Sequence, residues 1–109
     1  MAFVDRYATT APDRAEVDAM PGAVVVEFGT DWCGHCQAAR PWVEAAFAAH
    51  PGARHVKVED GRGRRLGRSF GVRLWPTLVF LRDGVEAARV VRPTDDDALA
   101  RAFNFVAQA

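Results

Sequence analysis

Apolar positions fall into short blocks separated by glycine, proline and acidic residues, and the spacing inside each block predicts its secondary structure. Thr10 and Pro12 open a predicted helix to about Met20, with Thr10 as cap and Pro12 in the first turn. Pro21-Gly22 stops it. Ala23–Phe28 is short, β-branched and bounded by turn residues, which predicts a buried strand. From Cys33 to about Ala49 the period becomes helical. Trp42, Val43, Ala46 and Phe47 should face the core, and Pro41 should bend the helix because it lacks a backbone donor. Arg54–Glu59 alternates and predicts a second strand. A short helix is expected within the basic stretch Gly61–Phe70. Thr77–Leu81 predicts a third strand, Asp83-Gly84 a hairpin turn, and Val85–Val91 its antiparallel return. Thr94 with Asp95, Asp96 and Asp97 predicts a final helix start, whose buried face is Leu99, Ala102, Phe103 and Val106.

The order is therefore α, β, α, β, α, β, β, α, with a possible extra strand at Phe3-Val4. A β-α-β unit followed by β-β-α gives an α/β fold: a mixed sheet of four to five strands with helices on both faces. At 109 residues the chain fits a single domain spanning 1–109, without repeats or linkers. Fourteen basic residues balance fourteen acidic ones. That balance argues against nucleic-acid or membrane-surface partners, which select a basic excess. No apolar run is long enough to cross a membrane. The N-terminal stretch carries Asp5, Arg6, Asp13 and Arg14 and does not read as a secretory leader, so a cytoplasmic location is expected.

The chemistry concentrates in Trp32-Cys33-Gly34-His35-Cys36. Cys33 and Cys36 are the only cysteines, so neither a disulfide framework nor a four-thiolate metal site is possible within one chain. A strand ending at Phe28 and a helix starting near Cys33 put the first thiol at a helix N-terminus. Free N–H groups and the positive dipole end there stabilise a thiolate. An ordinary thiol of pKa ~8.5 is only about 3% ionised at pH 7, and a pKa of ~7 raises that to about half. Cys36 lies one turn on, placed to resolve a mixed disulfide formed at Cys33.

With Val24–Phe28 before this motif, and Pro41, Val72-Arg73-Leu74-Trp75-Pro76-Thr77 and Asp83-Gly84 after it, the chain resembles the thioredoxin family over roughly residues 23–107. The resemblance implies a thioredoxin fold and a thiol-disulfide oxidoreductase that reduces protein disulfides. The Cys33–Cys36 pair would carry the electrons, with no bound cofactor and no metal. It implies recharging by a thioredoxin-reductase-like flavoenzyme, and a monomer. Pro76 should be a cis proline, and the backbone of Trp75 should pair with an extended substrate strand. Glu27 takes the position of a buried acid behind Cys36, where it would assist proton transfer, and Lys57 that of its basic partner. Trp32, Gly34, His35, Trp75, Pro76 and Arg92 would form the substrate-binding rim.

Several positions depart from the family pattern, among them Gly29-Thr30, which replaces an aromatic-small pair. Gly34-His35 replaces Gly-Pro and matches the pair of protein disulfide isomerases, whose potentials are about 90 mV, or roughly 4 kcal/mol, more oxidising. Glu27 is one methylene longer than the usual Asp. Arg92 stands where a glycine is usual, and Trp75 is larger than the usual residue before the cis proline. A more oxidising isomerase is therefore an alternative within the same chemistry. A binding or chaperone module with incidental thiols, or a metal site shared between two chains, are alternatives of other classes. Arg62, Arg64, Arg65, Arg68 and Arg73 read as a solvated helix face or, less simply, as a docking surface for acidic partners. His50 and His55 are assigned no role.

Overall fold

The computed structural model describes residues 3–108, with side chains described for residues 3–107. Its elements follow the expected order: α1 (Arg14–Asp18), β1 (Ala23–Gly29), α2 (Gly34–Ala49), β2 (Arg54–Glu59), α3 (Arg65–Ser69), β3 (Thr77–Arg82), β4 (Val85–Val91) and α4 (Asp97–Gln108). The sheet order is β2-β1-β3-β4. β2 runs parallel to β1, while β3 is antiparallel to both β1 and β4.

The alternation along each strand divides the core in two. Val25, Leu78, Phe80 and Val90 pack with Val43 and Phe47 of α2 and with Leu99, Phe103 and Val106 of α4. Val24, Val26, Phe28, Val79 and Leu81 pack on the other face with Val17 of α1, Leu66 of α3 and Phe70 at the end of α3. Phe103 meets Phe47 and Phe80 edge-on at 5.1 and 5.0 Å. Truncating so central an aromatic costs about 3–5 kcal/mol. At the hairpin, Asp83 and Gly84 both take positive φ (49° and 82°), as a tight two-residue turn requires.

Local expectations change in four places. The first helix begins at Arg14, capped by Asp13 and not Thr10. The Asp13 carboxylate accepts from Glu16 N–H and the Glu16 carboxylate from Asp13 N–H, a reciprocal pair that Thr10 is too far upstream to make. The last helix begins at Asp97, and it is Asp95 that accepts the Asp97 N–H at 3.0 Å. Trp42 is 39% exposed, so the buried face of α2 runs through Ala39, Val43, Ala46 and Phe47 without it. Phe3-Val4 forms no strand. The N-terminal segment instead makes one bridge beside β2, where Ala8 N–H donates to the Lys57 carbonyl and Glu59 N–H to the Ala8 carbonyl, each at 2.9 Å. That bridge fixes Tyr7 over the end of β1.

Candidate active site

β1 ends at Gly29, and a short turn delivers the chain to α2 with Cys33 as its N-cap. Cys33 has extended backbone (φ −77°, ψ 124°), and its sulfur accepts the Cys36 N–H at 3.4 Å. Both cysteines are free thiols and both are buried, Cys33 at the margin with 9% exposure and Cys36 with 4%. Their environments pull ionisation in opposite directions. Burial raises the Cys33 pKa, but hydrogen bonds from the Cys36 thiol and from the Cys36 and His35 N–H groups, with the charge of Arg92, outweigh it. The net result lies below the ordinary value. Burial, followed by donation to Cys33, pushes Cys36 up to about 11.

The cis-proline loop packs against this pair. Trp75–Pro76 is a cis peptide, and Trp75 packs against the cluster of Tyr7, Cys33 and Cys36. Trp75 Nε1 donates to Asp60 Oδ2 at 2.9 Å, which fixes the indole. Trp32 is 73% exposed and stands edge-on to Trp75 with centroids 5.9 Å apart. Gly34 and His35 are exposed beside Cys33. Arg92 adopts positive φ (50°) and its Nε donates to the Trp75 carbonyl at 2.8 Å, while its own N–H donates to the Pro76 carbonyl. All six rim residues thus gather around Cys33. Arg64, Arg68 and Arg73 line a cleft of about 390 Å³ behind Trp75, together with Asp60.

Behind Cys36 the arrangement departs from expectation. Glu27 is buried at the end of β1, but Lys57 is not its partner. Lys57 Nζ donates to the Asp5 carbonyl at 2.7 Å and lies 4.5 Å from the centre of the Tyr7 ring. The Glu27 carboxylate meets Tyr7 and His55 instead: the Tyr7 hydroxyl donates to Oε2 at 2.5 Å, and His55 Nε2 lies 2.9 Å from Oε1. His55, read from sequence as having no role, is a fully buried partner of the acid, stacked on Phe47 at 4.2 Å. Its signal was the parallel β1–β2 register, which puts residues 55 and 57 on the same face as Glu27. The sequence reading missed Tyr7 altogether, because it lies outside any regular element. Gly29 makes room for it: a Cβ there would stand 2.6 Å from both the Tyr7 hydroxyl and the Cys36 sulfur. Among the described residues, no group of three or more His, Cys, Asp or Glu is placed to hold a metal ion.

A mixed sheet with a parallel β2-β1 edge, a C-x-x-C at the start of α2 and a cis proline facing it together define a thioredoxin-type dithiol site. The Thioredoxin family matches residues 7–104, and the chain belongs to that family. It is 36% identical over 80 residues to a thioredoxin of Chlamydia muridarum, covering 73% of this chain and 78% of that protein. It is 38% identical over 80 residues to protein disulfide-isomerase A3 of Gallus gallus, of which those residues span only 16%. Among solved structures, thioredoxin 2 of Pseudomonas aeruginosa in its reduced form superposes with a TM-score of 0.86 at 56% identity, covering 98% of this chain and 100% of that one.

Proposed function

We propose that the chain is a thiol-disulfide oxidoreductase that reduces protein disulfides. The observation that carries this reading is the opposed ionisation of two adjacent thiols, Cys33 held below the ordinary range and Cys36 pushed to about 11. The Cys33 thiolate attacks a substrate disulfide, forming a mixed disulfide and expelling one substrate thiolate. Cys36 then loses its proton and attacks the Cys33 sulfur. The Cys33–Cys36 disulfide forms, the second substrate thiolate leaves, and two electrons have passed to the substrate. Keeping Cys36 protonated prevents two adjacent thiolates from repelling each other before substrate arrives. Glu27 is the proton acceptor behind Cys36. Lys57 supports the site by its charge over the Tyr7 ring, a role changed from that expected.

On the rim, Trp32, Gly34, His35 and Pro76 present a surface for an extended polypeptide, and the Trp75 backbone pairs with it beside Arg92. No bound cofactor is required, since the dithiol carries the electrons. A thioredoxin-reductase-like flavoenzyme would restore it, in a cytoplasmic and monomeric setting. A more oxidising, isomerase-like poise is the second reading. It is favoured by Gly34-His35 beside the nucleophile and by the identity to protein disulfide-isomerase A3.

Precipitation of insulin on reduction by dithiothreitol tests the reading. The native chain should accelerate it, and Cys33→Ser should abolish the acceleration. Acceleration that survives Cys33→Ser together with Cys36→Ser would leave a binding module with incidental thiols.

A further inference from the structure

We infer that Tyr7 carries the proton between Cys36 and Glu27 in the step by which Cys36 displaces substrate from Cys33. The inference rests on the reading of Cys33 as attacking thiol, Cys36 as resolving thiol and Glu27 as proton acceptor, and adds a fourth side chain to it. Tyr7 stands against a reacting atom: it packs in one cluster with Cys33 and Cys36, and a Cβ on Gly29 would lie 2.6 Å from both its hydroxyl and the Cys36 sulfur. The same hydroxyl donates to Glu27 Oε2 at 2.5 Å, so its lone pairs are turned toward Cys36.

The far end of the chain of hydrogen bonds fixes its direction. Val4 N–H donates to His55 Nδ1 at 2.9 Å, so Nδ1 presents a lone pair. In that tautomer Nε2 carries the hydrogen and donates to Glu27 Oε1. The carboxylate thus accepts on both oxygens and is ready to take a proton at Oε2. Resolution then moves two protons together: with Cys33 tied up in the mixed disulfide and no longer a thiolate drawing the Cys36 S–H, that proton passes to the Tyr7 oxygen as the Tyr7 O–H proton passes to Glu27. Tyr7 ends neutral, Cys36 becomes a thiolate, and Glu27 holds the proton until it returns to Cys36 on reduction or leaves to solvent. No tyrosinate need form, which suits a phenol whose pKa burial and the Glu27 charge drive far above its ordinary value.

The placement of Tyr7 is built. Its backbone N–H donates to Asp31 Oδ1 at 3.1 Å, the adjacent Ala8 bridges to β2, and Lys57 Nζ lies over its ring. Gly29 alone leaves the hydroxyl and the sulfur room to meet. A rival route exists in a small cleft of about 50 Å³ lined by Tyr7, Cys36, Asp31 and Lys57, through which solvent could take the proton directly.

Rapid-quench turnover of a dye-labelled cystine peptide, with the mixed disulfide counted by mass spectrometry, separates the two steps. Tyr7→Phe should form the mixed disulfide at nearly the native rate. It should resolve that species about 10²-fold more slowly at pH 7, the lower end of general acid–base effects. Resolution should then rise about tenfold per pH unit as free thiolate takes over. Glu27→Gln should slow the same step, and the double variant should be no slower than the slower single. Native-rate resolution in Tyr7→Phe would overturn the inference in favour of the solvent route. Multiplied effects in the double variant would overturn it too, by showing independent roles. If Tyr7→Phe does not fold, the native protein decides: rates in mixed light and heavy water should curve with deuterium fraction, as two protons in flight require, and a straight line would overturn the inference. Should native protein form no mixed disulfide at Cys33, and Cys36→Ser trap none, the underlying reading falls and the inference with it. A normal mixed disulfide with normal resolution in Tyr7→Phe removes Tyr7 alone.

Discussion

Arg92 holds the Trp75 carbonyl: its Nε donates to that oxygen at 2.8 Å, from a backbone twisted to a φ of 50°. A glycine at this position would take that φ without strain, whereas a side chain there costs on the order of 1–3 kcal/mol. The guanidinium also draws Cys33 toward ionisation. One residue therefore links the cis-proline loop to the Cys33 thiol.

Arg92→Gly should raise the pH midpoint of Cys33 alkylation by iodoacetamide and slow the reaction at pH 6. Relief of the twisted backbone offsets the lost hydrogen bond, worth about 1 kcal/mol, so stability to urea should change little. An unmoved or lowered midpoint would show that the charge does not reach the sulfur.

Cys36 makes the reduced protein alkali-sensitive. An unfolded thiol titrates near ~8.5. The folded Cys36 titrates at about 11. Between these values the native state holds a proton that the unfolded state has lost, so stability falls as pH rises, by roughly 1.4 kcal/mol per unit. The contribution is complete below about pH 8.5 and gone above the folded value. Cys33 has the opposite sign. Its pKa is lowered on folding, so its contribution is present above the unfolded value and fades as pH falls through the folded one. Urea unfolding of reduced protein from pH 7 to 11 should show the alkaline loss, and Cys36→Ala should flatten it.

His55 should matter to stability far more than a surface histidine. It is wholly buried against Glu27, Phe47 and Phe3. His55→Phe leaves the carboxylate with the Tyr7 hydroxyl on its other oxygen. Leaving a buried carboxylate short of one hydrogen-bond donor in this way costs about 1–3 kcal/mol, measurable as a lowered urea midpoint at pH 7. A change below 1 kcal/mol would mean that solvent replaces the ring.

Much of this was legible in the sequence, for physical reasons. β2 and β4 were predicted with the bounds they have, because alternation and turn residues encode strands locally. Leu99, Ala102, Phe103 and Val106 were predicted as the buried stripe of α4, because helical spacing encodes a face. The dithiol was plain from the C-x-x-C and its place between strand and helix. Pairings between distant segments were not legible. Asp13 and Thr10 are both good caps, and the reciprocal Glu16 decided between them. Trp42 is apolar enough for the core, but α2 turns its smaller residues inward. Lys57 and His55 lie two apart on one strand face, and only the path of the N-terminal segment settles which of them meets Glu27. That path rests on one isolated bridge at Ala8, and Tyr7 follows from it.

The most direct test of the central claim is the reduction potential of the Cys33–Cys36 pair, measured by equilibration in glutathione buffers. A protein-disulfide reductase predicts a value between about −230 and −270 mV, with His35 supplying only part of the gap between thioredoxins and isomerases. A value near −180 mV or above would contradict that claim and make the protein an oxidant or isomerase.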